Sequence, residues 1–348
     1  MTQKTVFKEN DLLEIVQGIF QAHGIPTEDA AVIAEGLVCA DLRGVYSHGV
    51  VRVPMYCQRL RHNLVNRKPN LVIQQTSPAS RLLDGDNGMG FIVGKKAMEE
   101  AIKLAAEMGV GLVGVRQSGH FGMSAFYLLQ ALKAEMISFV YTNSSPAMPV
   151  WGGRTKFLGA SPFAAATPGG KLGPYVLDMA CTVTARGKLK YAAQRGEAIQ
   201  PGLALDSDGR PTTDGEAAFH GVILPFGGVK GAGLALLMEI LSGVFTGSAF
   251  AGDVKNPHTD LSGPQNVGHF FMAIKPDLFM PLQEYQERMD LLISRAKSCD
   301  KAEGIEEILI PGENEARLSE TYKKEGIPLT NDVVEGLKTE ATAVGIKF

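Results

Sequence analysis

The run Gly109-Val110-Gly111-Leu112-Val113-Gly114 (GVGLVG, 109–114) decides how the rest of the chain is read. Its glycines satisfy G-x-G-x-x-G, the spacing of a dinucleotide-binding βαβ turn, and Glu135 follows roughly where a ribose-binding acid should stand. The flanks run the wrong way for that fold. The fingerprint needs a strand before the glycines and a helix opening on them. Here KKAMEEAIKLAAEMG (95–109) has helical periodicity and stops at Gly109, and the glycines lead into the strand-like LVGV. GVGLVG therefore reads as the close of a helix and the start of a strand, and the chain is not built on the classical dinucleotide fold at this point.

Working outward, strand-like runs GLVGV, ISFVYT (137–142) and PYVLDMA (174–180) alternate with helical runs such as AFYLLQALKAEM (125–136), the texture of an α/β unit. Before the polar stretch RHNLVNRKPN (61–70), Leu12, Ile15, Val16, Ile19 and Phe20 fall at helical spacing. Gly24 stops that helix and Thr27, Glu28 and Asp29 open a second. Beyond GHFFMAIKP (268–276), LQEYQERMDLLISRAKSC (282–299) and NDVVEGLKTEATAVG (331–345) are helical again. The expected division is a helical domain from residues 1–70 with 281–348 and an α/β domain of residues 71–280. A chain of 348 residues has ample core for two such units. GLALLMEILSGVFTG (233–247) is too short and too interrupted by Glu239 to cross a bilayer, and reads as a buried helix.

Composition narrows the function classes. With 45% hydrophobic and 20% charged residues the chain is a globular protein, and a net charge of −3 with no basic block excludes a nucleic-acid footprint. Cys39, Cys57, Cys181 and Cys299 lack CxxC spacing, so they read as buried thiols and not as a zinc knuckle; no metal site is expected. The N-terminal MTQKTVFKENDLLEIV has no apolar export core, which points to the cytoplasm; no membrane partner is expected.

Four segments carry chemistry. In DLRGVYSHGVVRVPMY (41–56), Arg52 stands one helical turn beyond His48, with Ser47 beside it. An imidazole can move a proton and a guanidinium can clamp a carboxylate in two bonds, a kit suited to a 2-oxo or 2-hydroxy acid. The competing reading is a capped connection in which Arg52 pairs with an acid such as Asp41. RQSGHFGMSAF (116–126) puts His120 between glycines at a strand end, where α/β sheets present ligand loops. VLDMACT (176–182) puts Asp178 in an apolar strand, where a carboxylate needs a partner: an arginine, a backbone amide, or a histidine that it orients. In PFGGVKGAGLALLMEIL (225–241), Lys230 and four glycines precede an apolar helix whose free N–H groups favour an anion, without the Walker pattern.

DLRGVYSHGVVRVPMY also resembles the signature of the malate/L-lactate dehydrogenase family that is distinct from the Rossmann-type malate and lactate dehydrogenases. The resemblance recurs in order through GVRQSGHFG, YTNSSPAMPVWGG, LGASPFAAATP, LDMACT, DSDGRPTTD and LPFGGVKGAGLALLMEILSGV. That family includes ureidoglycolate dehydrogenases, sulfolactate dehydrogenases, 2,3-diketogulonate reductases and piperideine-2-carboxylate reductases. The resemblance implies a homodimer with a non-Rossmann nicotinamide-binding α/β domain and a mixed sheet. It also implies hydride transfer between NAD, with NADP not excluded, and a small carboxylate substrate of malate or lactate type, the alternative being a cyclic imino acid. A non-catalytic nicotinamide-binding protein is the alternative outside enzymes. Carried over by position, His48 would be the general acid, assisted by Ser47 and Asp178. Arg52 would hold the substrate carboxylate. His120 would lie beside nicotinamide and substrate. Thr142, Asn143, Ser144, Gly159, Ser161, Pro162 and Lys230, with Pro311 and Gly312 of LIPGENEAR, would line the cofactor site. Gly159-Ala160-Ser161-Pro162 departs from the Gly-Thr-Asn-Pro of many relatives, which removes side-chain hydrogen bonds that they can make.

Overall fold

The computed structural model describes residues 4–348. The chain opens with strand β1 (Lys4–Phe7) and helices α1 (Glu9–Ala22), α2 (Thr27–Leu42) and α3 (Val53–Arg61). Gly24, at φ +87°, turns the chain between α1 and α2. Next come β2 (Val72–Ser77), β3 (Ser80–Asp84), α4 (Gly90–Met108), β4 (Val110–Ser118), α5 (Ala125–Lys133), β5 (Ile137–Thr142), β6 (Phe163–Thr167) and β7 (Tyr175–Met179). A small excursion follows: α6 (Arg186–Arg195), β8 (Ala204–Leu205), β9 (Pro211–Thr212), α7 (Gly215–His220) and β10 (Val222–Ile223). The chain closes with α8 (Val229–Glu239), β11 (Val267–Ile274), α9 (Leu282–Lys297), α10 (Glu313–Glu325), β12 (Ile327–Thr330) and α11 (Asn331–Ala343).

The main sheet has seven strands in the order β2-β3-β4-β11-β5-β6-β7. It is mixed: β3 and β4 run parallel, whereas β11 is antiparallel to both β4 and β5. This is not the parallel doubly wound sheet of the classical dinucleotide fold. GVGLVG sits as its flanks require. Gly109, at φ +84°, is the left-handed cap of α4, and Gly111 lies inside β4. A Cβ on Gly111 would fall 2.0 Å from the Ala101 carbonyl oxygen, so this glycine lets α4 lie directly on the strand.

Two apolar clusters organise the interior. One joins Leu12, Phe20, Ile33 and Leu37 of the first helices to Leu60, Leu337 and Ala341, and β1 pairs with β12 to tie the chain ends together. The other joins Val113, Val115, Val140 and Phe271 of the sheet to Ala97, Met98 and Leu128 of α4 and α5. Helix α9 is attached to the far edge of the sheet, where Asp290 accepts from the Lys171 and Leu172 N–H groups at 2.8 and 2.9 Å.

Two expectations are corrected. GLALLMEILSGVFTG is not fully buried: only part of α8 and the following π-turn faces the sheet. Leu236, Leu237, Ile240, Val244 and Phe245 are exposed, Phe245 by 70%. Nor are all the cysteines buried, since Cys299 is exposed and Cys39 only half-buried. Among the described residues no helix is long and apolar enough to cross a membrane.

Candidate active site

The segment between α2 and α3 is shaped by Asp41. Its buried carboxylate accepts the Val50 N–H at 2.8 Å, fixing two short 3₁₀ turns, Tyr46–His48 and Val50–Arg52. Gly49 is required between them, because a Cβ there would lie 2.0 Å from the Asp41 Oδ1. The turns deliver Ser47, His48 and Arg52 to one place. Ser47 Oγ lies 2.9 Å from His48 Nδ1, and Arg52 Nε donates to the Ser47 carbonyl at 2.6 Å. Asp41 is therefore spent on the backbone, and Arg52 pairs instead with His258 through one guanidinium nitrogen.

His120, from the loop after β4, completes the group. Its ring stacks on His48 with centroids 5.7 Å apart and planes 18° from parallel. Its Nδ1 lies 2.6 Å from the Tyr56 hydroxyl and accepts the Gly122 N–H at 3.4 Å, while Gln265 Oε1 holds its own N–H at 3.2 Å. An acceptor at Nδ1 puts the proton of the neutral ring on Nε2.

Enclosure by protein pushes His48 down to about 4, with the nearby Arg52 charge adding to the effect. The same enclosure, with His48 and Arg52 beside it, holds His120 well below its usual value. His258 is pushed down to about 4, first by burial and then by Arg52, Lys190 and Arg186. The cleft thus holds three neutral imidazoles around one permanent cation. No carboxylate among the described residues accepts from Arg52 within the cleft, which suits it to an incoming anion.

Asp178 is placed differently from the apolar burial expected of it. It lies exposed in β7, the edge strand, on the face of the sheet that α5 covers, and its carboxylate accepts the Ala125 N–H at 2.7 Å at the start of α5. The surrounding protein pushes it up to about 6, opposed by that bond and by Arg43. The backbone amide, one of the partners considered, is the one observed; His48 is bonded to Ser47.

Of the residues expected at the cofactor, Thr142, Asn143 and Ser144 stand at the end of β5 and Gly159, Ser161 and Pro162 just before β6. Thr142 Oγ1 bonds to the Asn143 and Gly268 carbonyls and to His269, and the Asn143 amide bridges Ala249 and Gly268; both side chains are buried and committed to the fold. Ser144 Oγ accepts the Ala160 N–H at 3.1 Å, and Gly159 fits because a Cβ would strike that hydroxyl. Ser161 adopts φ +42°, and its buried Oγ has no protein partner; Pro162 follows it into β6. Lys230 is exposed in the first turn of α8, after Gly227 and Gly228 at positive φ. A cavity of about 440 Å³ opens between Pro149–Arg154 and Leu205, Asp208, Leu224 and Pro225, with Trp151 close over Gly228. An exposed lysine in the first turn of a helix that Trp151 brings against this cavity suits a phosphate-bearing cofactor, whereas Ser161 does not line it. Pro311 and Gly312 dock on β7: the Pro311 carbonyl accepts the Val176 N–H at 2.9 Å and Gly312, at φ +94°, opens α10.

The sequence profile of the malate/L-lactate dehydrogenase family matches residues 7–338, spanning the 41–56 turn, the 142–162 segments and Lys230. The chain belongs to the malate/L-lactate dehydrogenase family. As a member it is an NAD(P)-dependent oxidoreductase on the family's mixed α/β fold. It is similar to the L-sulfolactate dehydrogenase of Methanocaldococcus jannaschii, 40% identical over 343 residues covering 99% of this chain and 98% of that protein. The solved sulfolactate dehydrogenase structure from that organism superposes with a TM-score of 0.93, covering 99% of this chain and 98% of that one. The malate dehydrogenase of Pyrococcus abyssi is 40% identical over 347 residues, 97% of this chain and 95% of that protein. The ureidoglycolate dehydrogenase (NAD(+)) of Escherichia coli K12 is 33% identical over 330 residues, 95% and 94% of the two chains.

Tyr56 and His258 belong to this cleft and were not singled out from sequence. Tyr56 had a signal, since it follows Arg52 by one helical turn. His258 had none, because it arrives from an irregular segment more than two hundred residues away.

Proposed function

We propose that the protein transfers hydride between NAD(P)H and C2 of a small 2-oxo or 2-hydroxy acid bearing a second acidic group, as in oxaloacetate/malate or sulfopyruvate/sulfolactate. The observation that carries this reading is the cleft itself, where Arg52 meets three uncharged imidazoles with no carboxylate to neutralise its charge. Arg186 and Lys190 add positive charge near His258. A one-acid substrate would use Arg52 and leave that second region unpaired. The malate and sulfolactate relatives support the same class.

In this reading Arg52 orients the substrate carboxylate, with Ser47 and His258 fixing its guanidinium. Once the substrate anion offsets the Arg52 charge that disfavours a second cation, His48 takes up a proton from solvent and, as the imidazolium, gives it to the developing alkoxide, with Ser47 on its Nδ1 side. His120 donates from Nε2 to the same oxygen. Asp178 acts at one remove, by fixing the start of α5. Bound NAD(P)H supplies the hydride. Ser144, Gly159, Ser161, Pro162 and Lys230 would hold the cofactor, Thr142 and Asn143 would shape its wall, and Pro311 with Gly312 would brace β7 behind it. NAD is the proposed cofactor.

The same reading includes a cytoplasmic homodimer. The exposed stripe Leu236, Leu237, Ile240, Val244 and Phe245 is the face that a second copy would cover. It also keeps two units, residues 1–70 with 281–348 and residues 71–280, supported by the two apolar clusters; the contacts of α9 with the sheet edge pull against the boundary at 281.

The test is a matrix of initial rates, NADH and NADPH each against oxaloacetate, sulfopyruvate, pyruvate and piperideine-2-carboxylate. The reading requires the two-acid substrates to exceed pyruvate at least tenfold in kcat/KM. Turnover of the imine alone would replace it.

A further inference from the structure

The helical layer holds a cluster that hydride transfer does not use. His23, just after α1, Cys57 on α3 and Glu340 on α11 bring an imidazole nitrogen, a thiol sulfur and a carboxylate oxygen within 4.8 Å of one another. The three come from separate helices at opposite ends of the chain. Cys57 is fully buried, and Glu340 is only 6% exposed.

His23 Nε2 supplies an independent observation. It is buried and has no hydrogen-bond partner, although a native interior ordinarily satisfies such atoms. Cys57 and Glu340 are the two groups that the cluster brings within reach of the His23 ring. Glu340 is gripped by Arg61 at 2.5 and 3.1 Å, but the Arg61 side chain is 46% exposed and can turn to water once another cation neutralises the carboxylate.

We propose that His23, Cys57 and Glu340 form a structural site for a divalent transition metal of the zinc class. A mixed nitrogen, sulfur and oxygen set suits zinc, whereas magnesium and calcium require oxygen ligands throughout. Bond lengths of about 2.0–2.3 Å place tetrahedral ligand atoms about 3.5 Å apart. The cluster therefore closes by side-chain adjustments on the order of 1 Å. On binding, a metal–sulfur bond forms as the Cys57 S–H bond breaks, its proton passes to solvent, and no electron is transferred. Water fills the fourth position. The ion would pin α1, α3 and α11 together and so lock the chain's two ends.

The experiment uses the full-length protein, treated with chelator, titrated with Co²⁺ and then with Zn²⁺. The expected result is a thiolate-to-cobalt charge-transfer band that saturates at one ion per chain and is displaced by Zn²⁺, with a rise in Tm. Cys57→Ser should abolish the band. His23→Gln, at the edge of the layer and compatible with folding, should weaken binding at least tenfold. Cys299→Ser, which removes the exposed thiol, should leave the band unchanged. Absence of the band in the unsubstituted protein, its loss in Cys299→Ser, or unaltered binding in His23→Gln would overturn the proposal.

Discussion

Replacing Arg52 by lysine isolates the substrate clamp, because the charge survives and the geometry does not. Arg52 Nε donates to the Ser47 carbonyl at 2.6 Å and a second nitrogen meets His258, which leaves the remaining N–H groups of a fixed fork for the substrate carboxylate. A single ammonium cannot hold the Ser47 carbonyl and His258 while also forming two parallel bonds to a carboxylate. At least one charge-assisted hydrogen bond is lost, about 1.5–3 kcal/mol. That corresponds to roughly a 10- to 150-fold fall in kcat/KM, carried mainly by KM. The assay is steady-state consumption of NAD(P)H across substrate concentrations, with cofactor binding followed separately by fluorescence. Cofactor affinity should stay within about twofold of the parent. A KM for the 2-oxo acid that does not move would refute the clamp, and an equal loss of cofactor affinity would mean that Arg52 acts on the wrong ligand.

His48→Ala should lower kcat by about 10²–10⁴, the usual range for a positioned acid, while NAD(P)H still binds; stopped-flow binding and turnover on one preparation separate the two effects. Asp41, pushed up to about 7 by burial against the Val50 bond, binds a proton in the folded state across a range where the unfolded chain does not. Its ionisation thus destabilises the fold as pH rises from about 4 to 7. Asp41→Asn, which keeps an acceptor for Val50, should gain stability relative to the parent by at most about 1.4 kcal/mol per pH unit over that range and level off above it. Urea melts at several pH values would contradict this if the difference were flat. Gly111→Ala drives a methyl into the Ala101 carbonyl and should cost about 1–3 kcal/mol of stability without altering NAD(P)H affinity in the folded fraction; selective loss of cofactor binding would restore the dinucleotide reading of GVGLVG.

Much of this arrangement was legible in the sequence because it depends on local order. The helix ending at Gly109 and the strand leaving it were enough to reject the fingerprint, and the mixed sheet agrees with that rejection. His120 just after β4 was readable for the same reason, but the helical turn expected between His48 and Arg52 is broken by the extended Gly49, and two 3₁₀ turns fixed by Asp41 bring the pair together instead. Contacts made over long separations were not readable. His258 reaches Arg52 from a coil without periodicity, and Asp178 meets the start of α5 because β7 and α5 pack, which composition cannot reveal. The apolar run over α8 misled for a different reason. Hydropathy reports that a face avoids water, not whether its cover comes from the same chain, and Phe245 lies open here.

The most direct test of the account is transfer of label from NAD(P)H carrying deuterium on the transferable C4 position to a two-acid 2-oxo substrate, read by mass spectrometry of the product. The account predicts one deuterium at C2 of the 2-hydroxy acid, formed at a rate that collapses in His48→Ala. Product without deuterium at C2, or labelled product formed equally fast in His48→Ala, would contradict it.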